Sequence, residues 1–187
     1  MSKFKFVGTA LLAGLLVVGC KKDDKHAEDN HEHNESELIT TVQLNFSTKL
    51  ASGKDSTFTV LFDDPDGTDG NKPTSFDTIR FAANKTYTCD LILLDKSKNP
   101  VDTISNEVKE EADEHLFFFT PSNSDLSVTI NDLDTKGLPL GLKTSWLPKK
   151  ATNGTVQVKL MHQPGVKDGN SQKGETDIEV NFPLVIK

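Results

Sequence analysis

Thr176-Asp177-Ile178-Glu179-Val180-Asn181-Phe182-Pro183-Leu184-Val185-Ile186 decides the fold. Ile178, Val180, Phe182, Leu184 and Ile186 recur at every second position, the period of a strand with one buried face. The same period appears at Val42, Leu44 and Phe46, at Phe58, Val60 and Phe62, and again over 87–94, 126–130 and 156–160. Between these runs lie Ala51-Ser52-Gly53, Lys136-Gly137, Asn153-Gly154 and the Gly-, Asp- and Pro-bearing stretches 63–73, 97–100 and 163–174. Such residues turn a chain because they tolerate positive φ or fix φ near the turn value. Short alternating strands joined by turns predict an all-β chain, an antiparallel β-sandwich immunoglobulin-like in general shape. One stretch departs from the period. Residues 108–114 (Val-Lys-Glu-Glu-Ala-Asp-Glu) favour a short helical turn, ahead of a strand over 115–120.

Toward the other end the pattern changes. Residues 21–37 carry three lysines against seven carboxylates and almost no apolar side chain. That composition cannot bury enough surface to offset its ordering entropy, so it reads as a flexible tether. Before it, Lys3 and Lys5 precede an apolar run over 7–18 that ends at Gly19-Cys20. The run is too short for a permanent span and suits a secretory signal. The expected organisation is a signal over 1–19, a charged tether over 20–37 and one β-sandwich domain over 38–187. Without Lys3 and Lys5 the net charge passes from −7 to −9. An acidic chain without a basic stripe argues against nucleic acid and against adsorption to anionic headgroups. Cys89 is the only cysteine besides Cys20. It shares a strand face with Tyr87, Leu91 and Leu93, which predicts a buried, inert thiol.

Three groups of residues carry chemistry. His26, His31 and His33 stand in the tether among carboxylates, and imidazole with carboxylate suits zinc or copper. In the domain, His115 follows Glu111 and Glu114, while His162 ends the apolar row Val156, Val158, Leu160. Pairing of the last two strands as a hairpin sets His162 opposite roughly Thr176, with Glu175 and Asp177 nearby. Those histidines and carboxylates could form a mixed nitrogen and oxygen site, or could be satisfied rim histidines, with His162 bonded to a carboxylate across its hairpin. Whether His115 and His162 meet depends on the fold. Third, Asp64, Asp66 and Asp69 alternate with glycines as in a calcium loop, although Pro65 interrupts them and no glutamate completes an EF-hand. The same residues are ordinary turn formers. No Gly-x-Ser-x-Gly, phosphate loop or zinc-protease spacing is present, so the chain is not expected to be an enzyme. Trp146, between Pro139 and Pro148, is expected in the core.

Val17-Val18-Gly19-Cys20 resembles a bacterial lipoprotein signal, which implies cleavage before Cys20 and lipidation of that cysteine. Leu38-Ile39-Thr40-Thr41-Val42, Asp64-Pro65-Asp66-Gly67, Glu110-Glu111-Ala112-Asp113-Glu114-His115-Leu116-Phe117-Phe118-Phe119, the stretch 139–146, His162-Gln163-Pro164-Gly165 and Gly174-Glu175-Thr176-Asp177-Ile178 are similar to a family of small Bacteroidota lipoproteins. Members often carry a His/Glu-rich tether, and some are described as type 1 periplasmic-binding-like, a large α/β architecture that this all-β chain does not match. The resemblance implies an outer-membrane lipid anchor facing the periplasm or the cell surface, since Lys21-Lys22-Asp23-Asp24 is similar to a surface-export signal. Asp55-Ser56-Thr57, Asp77-Thr78-Ile79 and Asp102-Thr103-Ile104 resemble a short O-glycosylation motif of these bacteria. The expected function is a membrane-tethered binding module for zinc or copper, with calcium as a further cation and a TonB-dependent transporter as a partner by analogy. The alternative is a non-metal module, a transporter accessory or an adhesin that recognises protein or glycan.

Overall fold

The computed structural model describes residues 38–67 and 70–187. Its elements run β1 (Thr41–Lys49), β2 (Asp55–Asp63), β3 (Ser75–Phe76), β4 (Ile79–Phe81), β5 (Tyr87–Leu94), α1 (Ile104–Glu110), β6 (His115–Pro121), β7 (Leu126–Ile130), β8 (Lys143–Pro148), β9 (Thr152–His162) and β10 (Glu175–Ile186). One sheet has the order β3-β2-β1-β5-β8-β7 and the other β4-β10-β9-β6. This is the all-β sandwich that the period-two runs predict. All pairs are antiparallel except β4 with β10, where Ile79 to Phe81 lie parallel to Leu184 to Ile186. That exception follows from β3 and β4, which carry the chain from one sheet to the other within a few residues and were not legible as strands.

The alternating residues face inward as their spacing requires. Val42, Leu44, Phe46, Leu93 and Trp146 of the first sheet, and Val156, Val158, Leu160, Val180 and Phe182 of the second, are at most 4 % exposed. Aromatic rings meet edge to face, the geometry their quadrupoles favour: Phe46 lies 5.3 Å from Trp146 at 90° and 5.1 Å from Phe81 at 88°. The Trp146 indole donates to the Thr144 hydroxyl at 2.7 Å, so its one polar atom is satisfied within the core. Gly141, at φ +108°, stands so close to Phe117 that a Cβ there would lie 2.5 Å from the Phe117 Cβ. That approach lets the Leu140 carbonyl accept the Phe117 amide at 2.8 Å and occupy part of the free edge of β6.

The helix differs from expectation by four residues. It spans Ile104–Glu110, and residues 111–114 form a turn. Ile104 and Val108 are one turn apart and buried at 1 % and 2 % exposure, so burial of this short stripe outweighs the helical composition farther along. Glu107 in the first turn and Lys109 in the last complement the helix dipole. Among the described residues no helix is long and apolar enough to cross a membrane.

Candidate metal centre

The second sheet aligns three polar residues in one row. His115, the first residue of β6, pairs with His162, the last of β9, and His162 pairs with Glu175, the first of β10. Directly opposed residues on antiparallel strands share a face. The two imidazoles therefore stack, with centroids 4.7 Å apart and planes 16° from parallel. Both rings continue core-facing rows, behind Phe117 in β6 and Leu160 in β9, so they sit at the rim rather than on the outer surface.

The turn after α1 brings the carboxylates. The Glu111 carbonyl accepts from His115 Nδ1 at 3.1 Å, and the Glu111 carboxylate lies 4.0 Å from the same nitrogen. Glu114 Oε2 stands 3.5 Å from His162 Nε2, so one carboxylate reaches His162 from the β6 side. One donor atom from each of Glu111, His115 and His162 falls within 4.8 Å of the other two. A cavity of about 160 Å³ opens beside them, lined by the apolar Ile39, Ile104 and Val108 and by carboxylates both from α1 and its following turn, Glu107, Glu110 and Glu111, and from β10, Glu175 and Asp177.

The register of the hairpin is one residue from expectation. Glu175, not Thr176, opposes His162, because the ladder shifts between Thr176 and Ile178. Asp177 is the extra residue of this bulge. Its Oδ2 ends 3.8 Å from His115 Nε2, buried and without a hydrogen-bond partner among the described residues.

Burial sets the charge states. It holds the His115 imidazole below the ordinary histidine range, against the hydrogen bond to the Glu111 carbonyl, with the neighbouring His162 adding to the depression. A carbonyl only accepts, so Nδ1 carries the proton and the lone pair of neutral His115 is on Nε2. Burial also pushes the Asp177 carboxyl up to about 6; His162 opposes that rise and Glu175 adds to it. A neutral imidazole and a carboxyl that ionises near pH 6 both offer a lone pair to a cation at neutral pH, where metals take deprotonated ligands.

Two loops hold this arrangement. Gln163, fully buried, donates its backbone amide to the Glu114 carbonyl at 2.6 Å and its side-chain amide to the Asn170 and Lys173 carbonyls, both at 2.7 Å. Lys167 donates to the Ala112 carbonyl and to Asp134 Oδ2, each at 2.8 Å, with side chains 2 % and 0 % exposed. Sequence reasoning missed both, since each links residues from loops that have no period. The remaining candidates lie apart or outside the described residues. Cys20, His26, His31, His33 and Asp69 fall outside them. Asp66 accepts from the Asn71 backbone and side chain at 2.8 and 2.7 Å, a turn-forming role, while Asp64 is buried beside it with one oxygen unpartnered. Cys89 is buried as expected, and burial pushes its thiol up to about 12.

Among the described residues, Glu111, His115 and His162 are the set of three potential ligands that converges. Comparisons of the chain with family models, with curated proteins and with solved structures find no match.

Proposed function

We propose that this chain is a binding module for a divalent transition-metal ion, zinc or copper, held through Glu111, His115 and His162. The observation that carries the reading is the convergence of one donor atom from each of these residues within 4.8 Å. Ligands around a tetrahedral zinc stand about 3.4 Å apart and an imidazole lone pair lies in its ring plane, so closing the set takes shifts of roughly an ångström and rotation of at least one of the two stacked rings. Side chains at strand ends and in a turn accommodate shifts of that size. Imidazole with carboxylate suits zinc and cupric ion, whereas cuprous ion prefers thiolate or thioether. The backbone carbonyl on His115 Nδ1 supports the site as an outer partner does in zinc proteins, by fixing the tautomer and the ring plane.

The lipoprotein-like signal at Cys20 gives the module its proposed place, an outer-membrane anchor, with His26, His31 and His33 gathering ions along the tether. A TonB-dependent transporter is the proposed recipient. The test is calorimetric titration of zinc into the chain with His26, His31 and His33 replaced by alanine, and into the same chain with His115→Ala and His162→Ala added. The first is expected to bind one zinc, and the second to bind it at least about a hundredfold more weakly. Equal affinity of the two overturns the proposal.

A further inference from the structure

We infer that Asp177 is the inner carboxylate ligand of this site, delivered by the β-bulge, and that Glu111 is the outer, exchangeable one. The inference rests on the metal reading above and names the side of His115 on which the ion binds.

His115 has one nitrogen to offer. Nδ1 is committed to the Glu111 carbonyl at 3.1 Å, so the electron pair available to a metal is on Nε2. Nε2 faces Asp177 Oδ2 across 3.8 Å. That gap is too long for a hydrogen bond. It fits a cation bonded to both atoms, since zinc stands about 2.0–2.2 Å from nitrogen and oxygen ligands. The Glu111 carboxylate approaches the opposite nitrogen, at 4.0 Å from Nδ1, and its side chain is 51 % exposed.

The bulge in β10 places the carboxylate. Ile178 faces the core, so strict alternation would send Asp177 outward to solvent. The register shift between Thr176 and Ile178 removes Asp177 from the ladder and lets its carboxylate end in the cavity. There Oδ2 is buried with no hydrogen-bond partner among the described residues. An orphaned carboxylate oxygen is unfavourable in a metal-free fold. It is accounted for if the oxygen is a ligand. Asp177, His115 and His162 then form the inner set, with the half-exposed Glu111 carboxylate on the Nδ1 side of His115.

The experiment measures zinc affinity by competition with a chromophoric chelator, in the full chain with His26, His31 and His33 replaced by alanine, and in that parent carrying Asp177→Asn or Glu111→Gln. Asp177→Asn is expected to weaken binding by at least tenfold and Glu111→Gln by less than threefold. Melting in chelator provides the folding control. Asp177→Asn is expected to melt at or above the parent, because it removes a buried unpartnered charge. Binding of the Asp177→Asn chain within threefold of the parent overturns the assignment, as does a larger loss for Glu111→Gln. An Asp177→Asn chain that melts well below the parent also overturns it, since Asp177 would then hold the fold. A parent that binds no zinc sinks the metal reading itself, and that result is read from the parent alone.

Discussion

Replacing Lys167 by methionine tests how the loops around the site are held. Lys167 and Asp134 form an ion pair at 2.8 Å with side chains 2 % and 0 % exposed, and the same ammonium donates to the Ala112 carbonyl. Methionine keeps much of the stem volume and removes three things together: the charge, the bond to Asp134 and the bond to Ala112. Breaking a buried pair from one side costs about 3–5 kcal/mol, because the remaining charge has no partner. Asp134 retains the backbone amides of Lys136 and Leu138 at 2.9 and 2.8 Å, which keeps the loss at the low end of that range. The orphaned Ala112 carbonyl adds about 1 kcal/mol or more, not fully additive with the first term. The expected destabilisation is about 3–4 kcal/mol, or a melting point lower by roughly 10 °C for a domain of this size. Urea unfolding followed by the fluorescence of Trp146, the only tryptophan and fully buried, reads it directly. A loss below about 1 kcal/mol refutes the reasoning, because surface pairs are worth that little.

Acid gives the same experiment a second arm. Burial raises the Asp134 carboxyl, but Lys167 and the backbone amides of Leu138 and Lys136 outweigh it and hold the group below its ordinary 3.8. A depressed carboxylate contributes stability above its unfolded value and loses it as pH falls through the folded one. The parent is therefore expected to lose this contribution below about pH 4. The Lys167→Met chain, with Asp134 no longer held down by the ammonium, is expected to show a shallower decline over the same window.

Two further predictions follow from burial and backbone geometry. The Cys89 thiol, buried and pushed up to about 12, is expected to resist an aromatic disulfide reagent at pH 8 in the native chain and to react at once in denaturant; prompt native reaction would place it at the surface. Gly174 stands at φ +78°, where an added Cβ collides with the His162 carbonyl, so Gly174→Ala is expected to cost about 2 kcal/mol or more and to weaken zinc binding by moving His162; unchanged stability and affinity would show that the hairpin yields freely.

The strands were legible because their physics is local. Ile178 to Ile186 alternate without interruption, and one buried face at every second residue is written directly in the sequence. Trp146 was legible as core but its strand was not, since flanking Pro139 and Pro148 read as punctuation while Pro148 in fact ends β8. The helix was placed by composition at 108–114, whereas the pair Ile104 and Val108 determines where it packs. His115 and His162 were both visible as strand-end histidines beside carboxylates. Their meeting was not, because β6 pairs with β9 across intervening strands and nothing local encodes that register. Asp177 shows the same limit more sharply. It was visible as a carboxylate near His162, yet alternation assigns it to solvent, and a bulge in the ladder turns it into the cavity. The tie between Lys167 and Asp134 spans two irregular loops, 33 residues apart, where no period operates.

Anomalous diffraction at the zinc edge, from crystals of the chain grown with one equivalent of zinc, shows whether His115 and His162 share an ion. An anomalous peak is expected at the end of the sandwich, about 2.0–2.2 Å from one nitrogen each of His115 and His162 and from a carboxylate oxygen. A zinc-bound crystal in which His115 and His162 remain stacked with no peak between them and the neighbouring carboxylates would contradict it.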